Sequence, residues 1–277
     1  MALVLNLEKS AETLKLCLEK AGIITPPELE VGIGMDVSGS FEDEHRAGIT
    51  NALMTRFIPW SMVFDPDKKI DLLTFADGAG RVSDVGPVTP DNYIDFIPRN
   101  VIGKVNGWNC GTEYSHLVER MLVKFGWQKP AVMAAPAPVA GAAAAPKKPG
   151  FLSRLFGAST PVEAPAVAAP VVTPAPHDED EGPRKALVLI ITDGENSDER
   201  RTREVHKASQ DRGDGVYFMY IGVSNQGTTF PHLERLANEF SNVGYVAIKN
   251  LRQFINLSDE ELNEQLISEE LLEWFKA

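Results

Sequence analysis

Apolar and polar positions follow two alternating periods along most of the chain. Short apolar runs bounded by polar or glycine-containing turns predict buried strands at 29–36, 70–76, 185–192, 216–223 and 244–248, with a short edge strand at 81–85. Between them, apolar residues at helical spacing predict helices at 41–63, 113–126, 198–211, 230–240 and 258–276, with a helical turn at 91–97. The alternation predicts an α/β fold: a doubly wound, mostly parallel sheet with helices on both faces.

Residues 1–28 precede the first predicted strand and are interpreted as an N-terminal extension. Leu7, Ala11, Leu14 and Leu18 lie at helical spacing, whereas Leu14, Leu16 and Leu18 alternate as in a strand. The pattern leaves helix and strand open for this segment.

The composition changes sharply over 130–184, where Ala, Pro and Val dominate. Proline lacks an amide donor and disfavours helix in the residue before it, and alanine offers little surface to bury. The stretch is also too long for an ordinary loop. We therefore expect a disordered insertion that divides one α/β domain into 29–129 and 185–277, the second part ending in a C-terminal helix.

One segment of the insertion, 147–157, differs from its surroundings. Its apolar residues fall on one face of a short helix beside basic residues; they are Phe151, Leu152, Leu155 and Phe156. Such a segment could bind a partner or make peripheral contact with a membrane. It could equally pack against its own domain.

Charge and composition limit the class of protein. A net charge of -12 argues against sequence-independent binding of nucleic acid or anionic membranes. Cys17 and Cys110 are far apart, which predicts neither a disulfide framework nor a zinc site. No apolar stretch reaches the roughly 18 residues of a transmembrane helix, and the first residues lack the pattern of a signal peptide. The expected location is the cytoplasm.

Three polar clusters follow predicted strands or precede predicted helices. They contribute Asp36, Ser38 and Ser40, then Thr112, and finally Asp193. Taken singly, each could be a helix cap or a turn. Together they would lie at one edge of the sheet and offer only carboxylate and hydroxyl oxygens. Such hard donors favour Mg²⁺, Mn²⁺ or Ca²⁺ over zinc.

These clusters carry a family resemblance. Asp36-Val37-Ser38-Gly39-Ser40 resembles the DxSxS signature of the von Willebrand factor A (integrin I-like) family, and Thr112 and Asp193-Gly194 resemble its later elements. The resemblance covers roughly 30–248 without the insertion. It implies a Rossmann-like fold and a metal-ion-dependent adhesion site. The three hydroxyls would bind the cation, the two carboxylates would bind it directly or through water, and a protein partner would add an Asp or Glu side chain.

A finer resemblance concerns an intracellular bacterial branch associated with tellurite resistance and stress. It is carried by NLEKSAETLKLCLEKAGI, VGIGMDVSGSF, FDPDKKIDLLTFA and NCGTEYSHLVERML. The chain departs from that branch at Cys110, where a glycine is common, and at Phe41, where Met is common. The long insertion is also atypical, so its role is not implied by the resemblance.

The expected function is protein binding rather than catalysis. A metal-dependent hydrolase is one alternative, but the chain has no GxxxxGK[ST] motif and carries Ser38 where a carboxylate-first hydrolase would favour a second Asp. The other alternative is a scaffold with a structural metal, in which the insertion or the N-terminus binds partners. His45 lies in a predicted helix and is expected to be a surface or hydrogen-bonded side chain.

Overall fold

A computed structural model describes residues 6–129, 182–194, 196–223 and 229–277. Within these ranges, six strands form one sheet in the order β3-β2-β1-β4-β5-β6. The strands are β1 (Glu30–Asp36), β2 (Ile70–Phe75), β3 (Ser83–Val88), β4 (Ala186–Thr192), β5 (Val216–Val223) and β6 (Val243–Ile248). Only the β2–β3 pair is antiparallel. The predicted mostly parallel sheet is confirmed.

Helices cover both faces of this sheet. In the described part of the chain they are α1 (Leu7–Lys20), α2 (Glu42–Arg46), α3 (Ile49–Phe64), α4 (Phe96–Asn100), α5 (Ser115–Lys124), α6 (Glu199–Arg212), α7 (Pro231–Glu239), α8 (Leu251–Phe254), α9 (Asp259–Leu266) and α10 (Glu269–Lys276). Side chains of α1, α3, α4 and α8–α10 join one apolar core, and those of α5 and α7 join the other. The doubly wound arrangement is therefore confirmed.

Two predicted helices are each interrupted. The helix predicted at 41–63 is divided into α2 and α3 by Gly48, whose φ of +73° is a left-handed conformation that L side chains rarely adopt. The helix predicted at 258–276 is divided into α9 and α10. There, Ser268 has extended backbone and its side chain accepts a hydrogen bond from the Leu271 amide, which starts a new helix.

The N-terminal segment is a helix, so the strand alternative for it is wrong. Asn6 caps α1 by accepting a hydrogen bond from the Lys9 amide. Ala11, Leu14 and Leu18 are buried, and α1 packs on α3 and α9. Because the chain itself covers this apolar face, the face is not available to a partner.

The predicted insertion lies almost entirely outside the described residues. The divisions at 1–28, 29–129, 130–184 and 185–277 therefore stay predictions, as does a role for Phe151, Leu152, Leu155 and Phe156. Among the helices that the structure does describe, none is long and apolar enough to cross a membrane.

Glycines in β1 allow α5 to lie close to the sheet. A Cβ at Gly34 would overlap Leu117 Cδ2, and Leu117 is fully buried and has little room to move. We expect Gly34→Ala to lower the free energy of unfolding by about 1–3 kcal/mol through overpacking. Gly80→Ala is the matched control, because a Cβ there meets no atom within 4 Å. Urea denaturation measures both, and equal effects would contradict this account of the packing.

Candidate metal centre

The sheet has one switch point, between β1 and β4. From β1 the chain continues to β2 on one side, whereas from β4 it continues to β5 on the other. Loops leaving the carboxyl ends of two such strands diverge and leave a crevice, which is the usual ligand position in open α/β sheets. Asp36 ends β1 and Thr192 ends β4. The polar residues that follow these strands are therefore concentrated at this crevice.

The structure brings all five sequence-predicted residues together. Ser40 Oγ donates a hydrogen bond to Asp193 Oδ1 at 2.9 Å and lies 3.2 Å from Ser38 Oγ. Asp36 accepts from the Ser38 amide at 2.8 Å and from Thr112 Oγ1 at 3.5 Å. Residues up to 157 positions apart in the sequence thus form one cluster of oxygen atoms.

Backbone hydrogen bonds join the three loops that carry these residues. The Gly39 amide donates to the Cys110 carbonyl at 3.1 Å, and the Asn109 amide donates to the Val37 carbonyl at 2.9 Å. The loop after β4 is attached through Ser197, whose amide and hydroxyl both donate to the Thr112 carbonyl. The side-chain positions are therefore fixed by backbone contacts between loops.

Helix capping does not account for the hydroxyls. Ser38 makes no side-chain capping hydrogen bond to the turn that follows it. Thr112 lies outside α5, whose first amides, those of Tyr114 and Ser115, donate to the Asp198 carboxylate at 3.1 and 3.2 Å. Because Asp198 caps α5 from another loop, the Thr112 hydroxyl remains directed at Asp36.

Gly194 is needed because its backbone lies close to the side chains of Thr112 and Asp36, and not because its backbone conformation is unusual. A Cβ at this position would lie 2.8 Å from Thr112 Oγ1 and 3.6 Å from Asp36 Oδ2. A larger residue would therefore displace the predicted ligand oxygens. At Gly39, in contrast, a Cβ would make ordinary van der Waals contact with Asn109 at 3.7 Å. Steric overlap therefore does not explain why position 39 is a glycine.

The electrostatics of the centre favour a bound cation. Burial raises the pKa of Asp36, which is fully buried. Burial and the neighbouring Asp36 charge raise the pKa of Asp193 to about 7. In the part of the chain that the structure describes, no salt bridge links either carboxylate to a basic side chain. Two adjacent carboxylates, three hydroxyls and no balancing positive charge fit a divalent cation.

His45 contributes to the centre in a way that the sequence did not indicate. It is buried, its Nε2 lies 2.8 Å from the Asp36 carbonyl, and its Nδ1 lies 2.9 Å from Thr50 Oγ1. Since a carbonyl only accepts, Nε2 carries the proton. Burial lowers the pKa of His45 to about 4, so the ring is neutral at pH 7. His45 is hydrogen-bonded, as predicted, and it fixes the backbone of Asp36.

Comparisons with known proteins give structural likeness only. No protein-family model matches the sequence, and no curated protein matches it either. One similar solved structure is proximal thread matrix protein 1 (PTMP1) from the mussel byssus, with 12% identity over 87% of this chain and 48% of that chain, TM-score 0.48. Another is the same protein with a zinc occupied MIDAS motif, with 14% identity over 90% and 51%, TM-score 0.45. A third is the ArnB paralog VWA2 from Sulfolobus acidocaldarius, with 11% identity over 88% and 46%, TM-score 0.43. The chain spans about half the length of these proteins.

The raised pKa of Asp193 predicts a pH dependence of stability in the metal-free protein. Between its ordinary value of 3.8 and about 7, the folded protein holds a proton that the unfolded chain has released. The free energy of unfolding should therefore fall as pH rises through this window. We expect Asp193→Asn to flatten that fall, measured by urea denaturation with a chelator present. Asp43→Asn, at an exposed position on α2, should keep the wild-type slope. Parallel curves for wild type and Asp193→Asn would refute the assignment.

Proposed function

We propose that the chain is a metal-ion-dependent protein-binding module of the von Willebrand factor A type. The cation is Mg²⁺, with Mn²⁺ or Ca²⁺ as alternatives, and its ligands are Asp36, Ser38, Ser40, Thr112 and Asp193. The partner contributes an Asp or Glu side chain. The observation that carries this proposal is that two carboxylates, one buried and one partly exposed, meet three hydroxyls at the switch point of the sheet, and among the described residues no basic side chain is paired with either carboxylate.

The donor set supports the choice of cation and of partner. Carboxylate and hydroxyl oxygens are the ligands of hard divalent cations, and the cluster contains no sulfur or imidazole donor. When bound, the cation supplies positive charge and a coordination position for a further carboxylate. The hydroxyl ligands add oxygen atoms without adding negative charge. Where a carboxylate binds through water instead of directly, the cation keeps an electrophilic position for a partner's carboxylate.

The exposure of the residues indicates where a partner would approach. Asp36, Ser38 and Thr112 are buried, whereas Ser40 is exposed and Asp193 is partly exposed. The cluster is therefore open to solvent on the side of Ser40 and Asp193. A carboxylate of another protein would reach the centre from that side.

We infer binding rather than catalysis. A hydrolytic centre needs a general base or a nucleophile next to the cation. His45 touches the centre, but both its ring nitrogens are engaged and its imidazole is turned to the Asp36 carbonyl and Thr50. Ser40 donates its hydroxyl to Asp193, but a cation bound by that carboxylate would compete with its use as a general base.

The biological setting follows from the sequence resemblance alone. We infer a cytoplasmic protein of a bacterial stress or tellurite-resistance system. Burial of the α1 apolar face argues against the scaffold alternative in which the N-terminus binds partners. Binding through 147–157 would add a second contact surface and is compatible with the metal centre.

Calorimetric titration with Mg²⁺, Mn²⁺ and Ca²⁺ tests the centre directly. We expect saturable one-site binding to the wild type and none to the Asp36→Ala, Ser38→Ala double variant, because two of the five ligands are lost. Ser40→Ala removes an exposed hydroxyl and should weaken binding while the fold is kept. Asp43→Ala serves as the control and should bind as the wild type does. A double variant that is folded and binds normally would overturn the ligand assignment.

Peptide binding tests the partner chemistry. Immobilised peptides that contain a central Asp or Glu should retain the wild-type protein in Mg²⁺ and release it with a chelator. Matched Asn or Gln peptides should retain none, since an amide lacks the charge that the cation attracts. The Ser38→Ala variant should not be retained by either set. Retention that is equal with Asn or Gln, or that survives the chelator, would contradict carboxylate recognition.

A further inference from the structure

The turn at Asp193-Gly194 is held by two hydroxyl groups that are not among the predicted ligands. The Thr192 hydroxyl accepts a hydrogen bond from the Gly194 amide at 3.2 Å. The Tyr114 hydroxyl donates to the Gly194 carbonyl at 2.8 Å and lies 3.2 Å from Thr192 Oγ1. Both backbone polar groups of Gly194 are thus fixed, directly beside Asp193.

Thr192 also fixes the other carboxylate. Its hydroxyl donates to Asp36 Oδ2 at 2.6 Å, the shortest hydrogen bond that this carboxylate makes in the described part of the chain. One side chain therefore connects the Asp36 carboxylate with the turn that carries Asp193. Unlike Ser40 and Thr112, Thr192 has a hydroxyl oxygen that already accepts a backbone amide, that of Gly194, and it therefore acts through its neighbours and not as a cation ligand.

The two hydroxyls are attached to rigid parts of the fold. Thr192 is fully buried and is paired with Gly222 of β5 at the end of β4. Tyr114 is 1% exposed, and its ring packs against Phe75 and Tyr220 at centroid distances of 5.8 and 5.4 Å. The sheet and its core therefore determine where the two hydroxyls lie.

We propose that Thr192 and Tyr114 are positioning residues that preset the separation of the Asp36 and Asp193 carboxylates and thereby favour Mg²⁺ over Ca²⁺. This inference rests on the proposed function. Mg²⁺ requires near-ideal geometry with oxygens about 2.0–2.1 Å away, whereas Ca²⁺ accepts flexible sites at about 2.3–2.6 Å. Loosening the turn should consequently weaken Mg²⁺ binding more than Ca²⁺ binding.

The test compares Mg²⁺ and Ca²⁺ affinities of wild type, Thr192→Val, Thr192→Ser and Tyr114→Phe by calorimetry. Loss of either supporting hydroxyl should weaken Mg²⁺ binding about 10–100-fold, as is usual for groups that orient metal ligands. Ca²⁺ affinity should fall less, so the Mg²⁺-to-Ca²⁺ affinity ratio should drop. Thr192→Ser keeps the hydroxyl and should retain the wild-type ratio. A role in stability alone would not change this ratio.

Tyr217→Phe is the matched control, because Tyr217 is a buried tyrosine of β5 whose side chain belongs to the core on the other face of the sheet. Denaturation in a chelator checks that every variant is folded. If the wild type binds neither cation, the proposed function fails. If the wild type binds but Thr192→Val and Tyr114→Phe keep its affinities and ratio, only the present inference is overturned. Thr192→Ser behaving like Thr192→Val would also overturn it.

Discussion

The rest of the centre depends on one constraint. The carboxylate of Asp36 is buried, and it lies beside the carboxylate of Asp193. Removing a carboxylate from water is costly unless hydrogen bonds or an opposite charge replace the solvent. Asp36 receives the first kind of compensation, from the Ser38 amide and the Thr112 and Thr192 hydroxyls. These contacts moderate the cost, yet the pKa of Asp36 is still raised by burial. The hydrogen bonds therefore do not supply the positive charge that would balance the carboxylates of Asp36 and Asp193.

The topology of the sheet makes this pairing possible. β1 and β4 are neighbours, although the chain between them includes two other strands and 130–184. Their carboxyl ends deliver Asp36 and Thr192 side by side, and the loop before α5 closes over them through Thr112 and Tyr114. Asp198 then caps α5 from the loop after β4. Each loop is thus hydrogen-bonded to residues of another loop. Because of these contacts, the short polar loops keep a fixed geometry although they bury few apolar side chains.

Much of the fold and of the candidate site could be predicted from the sequence, because the patterns that indicate them are local. Apolar runs such as 185–192 indicate buried strands, and carboxylates or hydroxyls directly after them indicate the ligand edge. These signals single out five candidate ligands, and the structure places their side chains in contact; they are Asp36, Ser38, Ser40, Thr112 and Asp193. The helix breaks at Gly48 and Ser268 were missed, since apolar spacing continues through both positions.

Other features depend on contacts between distant residues and have no local pattern. In the sequence, Tyr114 cannot be distinguished from other aromatic residues near the start of a helix. Only its hydrogen bond to the Gly194 carbonyl indicates that it holds the turn beside Asp193. The contact of His45 with the Asp36 carbonyl likewise requires the bend between β1 and α2. Thr192 had the clearest signal, a hydroxyl directly before Asp193, but its bond to Asp36 spans 156 positions.

The proposed binding function depends on the balance between carboxylates and hydroxyls in the centre. A second Asp at position 38 would place a third negative charge beside those of Asp36 and Asp193, with no basic side chain among the described residues paired with any of them. With a divalent cation bound, such a site would carry a net negative charge and would repel a carboxylate of another protein. Ser38 supplies the same oxygen without the charge, and Ser40 and Thr112 do likewise. With only two carboxylates the site and its cation are neutral together, so in the proposed function an open coordination position can still accept a partner's Asp or Glu. The neutral ligands would then determine the partner chemistry as much as the two carboxylates determine the cation.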